Sequence, residues 1–331
     1  MGARLRRSGL RAIVVLGLAL LVWAAPAAAD EGSGRARPDD SGFLFDKEAF
    51  GIKGLQAETG GSAGFSRLSL RLYGGYSYVG ASDVNTGSRG FFDILELYAA
   101  YGLGTFSGSY APLHGGFDAG VDLIYQITPK VGVGLGAGFI RSSRSSAGVY
   151  TYEGTPGAVT AVPTISAIPI RLGAFFTFPV SPTLDFTAEL GGAYYLGLEF
   201  DLEQTLEYGP DDWVEFLYSG GEAGSSNLGF HGGLGLEYKI SAKTGFFIQA
   251  VGRYANLGNF KTAWEIMNDS GGNSNTSDGK LYIRTETDPD FTFSEFTVRD
   301  TPPVDDADTT YREPTFDFSG FSLQAGFRFR F

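Results

Sequence analysis

The end of the chain constrains its fold most. Residues 321–331 read FSLQAGFRFRF. Phe321, Leu323, Ala325, Phe327, Phe329 and Phe331 alternate with Ser322, Gln324, Gly326, Arg328 and Arg330. Period two places the apolar row on one face of a strand and the polar, cationic row on the other. Left as the open edge of a soluble sheet, such a strand would pair with other chains. In a closed barrel the edge is paired, and the Phe row can face lipid. The competing reading is an amphipathic strand that closes a soluble barrel.

The beginning of the chain agrees with the membrane reading. Arg4, Arg6, Arg7 and Arg11 precede an apolar run over 12–25, and Pro26-Ala27-Ala28-Ala29 supplies a small-residue exit. This is the layout of a secretory signal peptide, with cleavage expected between Ala29 and Asp30; a retained anchor is the alternative. Removing residues 1–29 takes away four Arg and no acid, leaving 21 basic against 37 acidic residues and a net charge of −16. So acidic a chain is a poor partner for nucleic acid or an anionic membrane surface. Beyond residue 29 no stretch approaches the roughly 20 apolar residues of a spanning helix. With no Cys, disulfides and thiolate metal sites are excluded. Residues 30–66 are polar and Gly-rich, and read as a periplasmic arm or a partial plug.

From Arg67 onward, alternating segments recur: 67–80, 116–128, 131–142, 166–180, 184–202, 228–240, 245–260 and a closing segment from about Thr315. Each is long enough to cross a bilayer as a tilted strand. Three connections are minimal: Thr128-Pro129-Lys130, Ser181-Pro182-Thr183 and Ser241-Ala242-Lys243. The others, 81–115, 143–165, 203–227 and 261–314, are long. Short and long strictly alternate, as do the periplasmic turns and outer loops of outer-membrane barrels. The expected fold is therefore an all-β, eight-stranded antiparallel transmembrane β-barrel over 67–331. Within the first long connection, Phe91, Ile94, Leu95 and Tyr98 fall at helical spacing, which predicts a short helix. A strand hairpin there would instead give ten strands. In the last connection, 281–284 and 291–298 alternate and either extend strands or form a hairpin, while 268–279 reads as a mobile tip.

The inward faces carry the candidate site. Arg71, Arg171, Lys239, Arg253, Arg328 and Arg330 oppose Asp118, Asp122, Asp185, Glu189 and Glu237. An eight-stranded barrel is only wide enough for side chains to fill, and charges in that space must pair. The expectation is a salt-bridged polar core that blocks flow; a selective pore or a hydrated pocket are the alternatives. The glycines at 132, 134, 136 and 138 make room for large side chains such as Arg171, Tyr195 or Phe247. His114 and His231 are the two histidines, neither beside a Ser motif, so no catalytic residue is assigned. Asp288/Asp290 and Asp305/Asp306/Asp308 read as solvated loop charge, with Ca²⁺ binding as the alternative; no segment fits an EF-hand loop. No metal site or cofactor is expected.

Taken together, the leader, the Ser/Thr-Pro turns, the closing FRFRF and the hairpin over 115–140 resemble the outer membrane protein β-barrel domain family. The resemblance implies a Gram-negative outer-membrane location after export. It implies that Phe327, Phe329 and Phe331 are the signal read by the barrel-assembly machinery, with periplasmic chaperones as earlier partners. It also implies contact with outer-membrane lipid and lipopolysaccharide, no nucleic acid, and a monomer. It is nearly silent on activity. A non-enzymatic structural or surface-contact protein is the first expectation, a channel for small or hydrophobic solutes the second, and a lipid-modifying enzyme the third.

Overall fold

In the computed structural model the described residues are 66–209, 212–221, 227–268 and 275–331. The expected leader, and the arm or plug up to residue 65, lie outside them. In chain order the elements begin with β1 (Leu68–Val79), α1 (Ser82–Ala100), β2 (Thr105–Ser109), β3 (Gly115–Gln126) and β4 (Val131–Ser143). They continue with β5 (Ser146–Tyr152), β6 (Thr155–Pro179), β7 (Leu184–Gly209), β8 (Asp212–Gly221), β9 (Leu228–Lys239) and β10 (Thr244–Tyr254). The last are β11 (Asn256–Leu257), β12 (Lys261–Asn268), β13 (Asn275–Asp288), β14 (Phe291–Arg299), β15 (Thr309–Arg312), β16 (Phe316–Asp317) and β17 (Gly320–Arg330).

Eight strands close a ring. β1 pairs with β3, and the antiparallel ladder then runs through β4, β6, β7, β9 and β10 to β17. β17 returns to β1, with Leu72 opposite Phe327 and Tyr76 opposite Leu323. These are the eight alternating segments of the sequence. The three short connections are tight turns at one end of the ring, where Thr128, Ser181 and Ser241 hydroxyls accept backbone N–H bonds.

The long connections differ more from expectation. Most of 143–165 and 203–227 is strand, not loop: β5 continues upward beside β6, and β7 continues into a hairpin with β8. β6 and β7 thus run 25 and 26 residues, far beyond the ring. β10 stops at Tyr254 rather than 260, because the chain turns inward; β11 pairs with β16, burying Leu257, Phe260 and Phe316. The closing strand accordingly starts at Gly320 rather than near Thr315. In the last connection β13 and β14 form the hairpin alternative, and β13 begins inside the stretch read as a mobile tip.

One glycine changes which face of β7 looks inward. Gly197 has φ +54, a conformation that costs an L side chain about 1–2 kcal/mol, and the β6–β7 register shifts in the same region. The bulge swaps parity. Strict alternation from Leu184 would turn Leu198 outward and Glu199 inward; instead Leu198 is buried and Glu199 is exposed.

The predicted helix is present but longer, at 19 residues, and turned about its axis. Its packed side is Val84, Gly87, Ser88, Phe92 and Leu95, whereas Tyr98 is exposed. Gly87 and Gly90 decide this. A Cβ on Gly87 would lie 2.6 Å from the Phe296 ring, and one on Gly90 would lie 2.2 Å from the Ser294 carbonyl, so β14 can approach only there.

Candidate functional site: the ionic interior and its apolar cap

The ring is apolar outside and ionic inside. Its outward side chains include Leu172 and Leu190, each 66% exposed, and Leu234 and Leu323 at about 60%. The eleven charged residues of the expected polar core lie within the ring, and each is paired. Nearest the tight turns, Glu237 takes Arg330 on one oxygen and Arg328 at 3.3 Å on the other. Asp185 accepts from Lys239 at 2.7 Å. One level further in, Arg71 bonds Glu189 at 2.9 Å and Arg171 bonds Asp122 at 2.6 Å. Deeper still, Arg253 stands 3.9 Å from Asp118.

Two neutral residues join these pairs into one chain. Arg71 donates to Gln249, Gln249 donates to Gln324 at 2.6 Å, and Gln324 donates to Asp118 at 2.7 Å. The relay from Glu189 to Arg253 therefore crosses β7, β1, β10, β17 and β3. Neither glutamine was singled out from sequence, although each has the same parity as the charged residues of its strand. Aromatic rings fill the spaces between: the Arg71 guanidinium lies 4.2 Å from the Phe247 ring centroid and that of Arg171 lies 4.8 Å from Tyr73. The void bordered by Arg71, Glu189, Glu237 and Arg328 is about 10 Å³, no more than one water needs. The glycine row of β4 makes room as expected, but for other residues: Phe175 at Gly134, Asp122 at Gly136 and Tyr73 at Gly138. Arg171 stands opposite Gly136 in the ladder and bonds the Asp122 that fills that space; Tyr195 and Phe247 are not among the nearest neighbours of these glycines.

Arg253 staples the seam between the first and last ring strands. Its guanidinium donates to Ser322 Oγ at 2.6 Å, Ser77 Oγ at 2.6 Å and the carbonyls of Phe318 (2.7 Å) and Tyr78 (2.8 Å).

Above this layer the interior turns apolar. Val79, Leu113, Phe200, Phe260, Phe296, Phe316 and Phe318 belong to one buried cluster, with Phe260 and Phe316 stacked at 3.8 Å between centroids. A lid of α1 and the β13–β14–β15 sheet covers it. Gln204 Nε2 donates to the Ser88 carbonyl at 3.2 Å, tying α1 to β7. Asp83, in the first turn of α1, clasps β15: it accepts both Arg312 nitrogens at 2.6 and 2.7 Å, and the backbone N–H of Thr315 at 2.8 Å. Burial works to raise the Asp83 pKa, but the Arg312 and Thr315 bonds outweigh it and hold the carboxyl below its usual range. Glu295 on β14 goes the other way: burial raises its pKa despite the bond from Arg284.

The histidines take packing positions. His114 Nδ1 lies 3.1 Å from the Val79 carbonyl and its ring stacks on Tyr78. His231 is buried in the ring interior, and its Nδ1 has no hydrogen-bond partner. The acids of the last connection serve as turn acceptors: Asp288 for the N–H of Asp290, Asp306 for those of Asp308 and Thr309, and Asp305 for that of Tyr311. Among the described residues, no cluster of three or more His, Asp or Glu could hold a metal ion.

A regularity on the outer face went unread in the sequence. Five ring strands carry two outward aromatics eight residues apart: Phe117 and Tyr125, Phe186 and Tyr194, Phe230 and Tyr238, Phe246 and Tyr254, Phe321 and Phe329. Side chains between them on that face are aliphatic or small, apart from Phe327 on β17. Eight residues of strand span about 26 Å, or roughly 20 Å of height at a tilt of about 40°.

No protein-family model matches the sequence, and no curated protein sequence matches it. Among solved structures, the crystal structure of the outer membrane protein OprG from Pseudomonas aeruginosa is similar at 12% identity, over 81% of this chain and 98% of that one. The TM-score of 0.28 is too low to carry an argument.

Proposed function

We propose that the chain is an integral outer-membrane β-barrel protein, monomeric and non-enzymatic, with a closed ionic interior and a structural or surface-contact role. The paired aromatic bands carry this reading. Two girdles enclosing an aliphatic belt, with the charges between the girdles pointing inward and Arg141 level with Phe117 of one girdle, match the demands of a bilayer. In water the same surface would be a large exposed apolar patch, which monomeric soluble proteins rarely tolerate. The tight turns and both ring termini share one end, so that end faces the periplasm and the lid faces outward. Partners that follow from the location are outer-membrane lipid, lipopolysaccharide and the assembly machinery with its chaperones.

Because the chain has no Cys, single introduced thiols report topology cleanly. In a Gram-negative host, Tyr152→Cys should react with a membrane-impermeant maleimide on intact cells. Ala242→Cys should react only after the outer membrane is breached. In planar bilayers the purified protein should give no ion steps. The reverse labelling pattern, or free solubility without detergent, sinks the membrane reading; clear conductance steps favour the channel and sink the closed interior.

A further inference from the structure

The end of the molecule away from the tight turns combines exposed aromatics with charge of one sign. Three features meet there: the C-terminal end of α1, the β5–β6 tip and the β13–β14 tip. Tyr101 is 58% exposed, Leu103 53%, Tyr152 49% and Tyr98 44%. These residues belong together. Tyr150 donates to the Leu103 carbonyl at 2.7 Å, and the Tyr101 ring meets Phe291 edge-on at 6.4 Å. The end of β7 adjoins the β5–β6 tip, since a Cβ on Gly157 would touch the Tyr208 ring. Exposed acids surround the aromatics: Glu96, Glu153, Glu207, Asp212, Asp288 and Asp290. Among the described residues of 96–105, 150–157, 206–213 and 286–293 there is no Lys or Arg.

We propose that this rim is a docking surface for a protein segment rich in Arg and Lys. The chemistry selects the class. Aromatic faces attract cations, most strongly guanidinium, which also stacks on them. Carboxylates beside them add charge-assisted bonds. A polyanion is repelled by the same field. Among the described residues, a lone divalent ion finds no cluster of three acids that could hold it. A neutral glycan would gain the stacking but leave the carboxylates without a partner. That the rim looks out of the cell rests on the proposed membrane orientation; the chemistry of the rim does not.

The test uses the full chain in detergent and fluorescein-labelled nona-arginine, with nona-glutamate and maltoheptaose as competing classes. Nona-arginine should bind, and binding should weaken steeply as salt rises from about 0.02 to about 0.5 M. Tyr101→Ser with Tyr152→Ser should weaken it about tenfold, from two exposed cation–π contacts. Glu153→Gln with Asp212→Asn should weaken it severalfold. Asp278→Asn with Asp300→Asn, about ten residues of strand away along β13, should leave it unchanged. The proposal is overturned by no binding of nona-arginine, by equal binding of nona-glutamate, by maltoheptaose binding in its place, or by a control pair that loses as much as the rim pairs. The orientation is judged separately: a Tyr152→Cys that stays unlabelled on intact cells, with binding retained in detergent, overturns the orientation alone.

Discussion

At the scale of residues, the interior is a set of obligations. Glu237 answers two guanidiniums, Arg328 and Arg330. Glu237→Ala would strand both inside the ring, at a cost of about 3–5 kcal/mol. The exposed helical pair Arg89–Asp93 is a control: Arg89→Ala should cost no more than about 0.5 kcal/mol. Denaturant unfolding in lipid vesicles measures both, and equal small effects would mean that water reaches the interior. The inward charges were legible because strict alternation survives through Arg71, Asp122, Arg171 and Arg328. Their partners were not, because which residues meet across the ring depends on the stagger of strands far apart in sequence. A single left-handed glycine, Gly197, was enough to invert Leu198 and Glu199.

At the scale of elements, the lid hangs on few points. Asp83 joins α1 to β15 through Arg312 and Thr315. Its carboxyl pKa is lowered, so the clasp contributes fully above the ordinary carboxylate value of about 3.9. The contribution is lost as pH falls through the lower folded value. Hydrogen exchange of the β15 amides should therefore quicken well below pH ~4 while ring amides stay protected. Asp83→Asn should show the faster exchange already at neutral pH. Unchanged β15 protection in that variant would remove the clasp from the account. Helix existence was legible from Phe91, Ile94, Leu95 and Tyr98, but the buried side was not. Small residues, Gly87 and Gly90, set the contact, and hydrophobic spacing is blind to them. The extended β6 and β7 were hidden for a related reason: strand continuing beyond the ring needs no continuous apolar face, so it reads as polar loop.

At the scale of the whole molecule, the proposed closed interior rests on two seals of unlike material. Ion pairs fill the ring near the tight turns, and packed aromatics under the lid fill the other end. Replacing 281–299 with a Gly/Ser linker should leave the protein non-conducting, because the ionic layer remains. Arg71→Ser with Glu189→Ser and an intact lid should also stay closed. Combining the two should produce steps in a planar bilayer. Conductance from either change alone would show that only one seal matters.

The staple at Arg253 links those two storeys. One of its acceptors is the carbonyl of Phe318, a member of the aromatic cap, and others sit on the first and last ring strands. Closing the circle and finishing the roof thus draw on one side chain. If the chain inserts as proposed, a half-inserted one has no grip for that guanidinium and no settled mouth, and the proposal implies that the cell surface meets either the completed exterior or none of it.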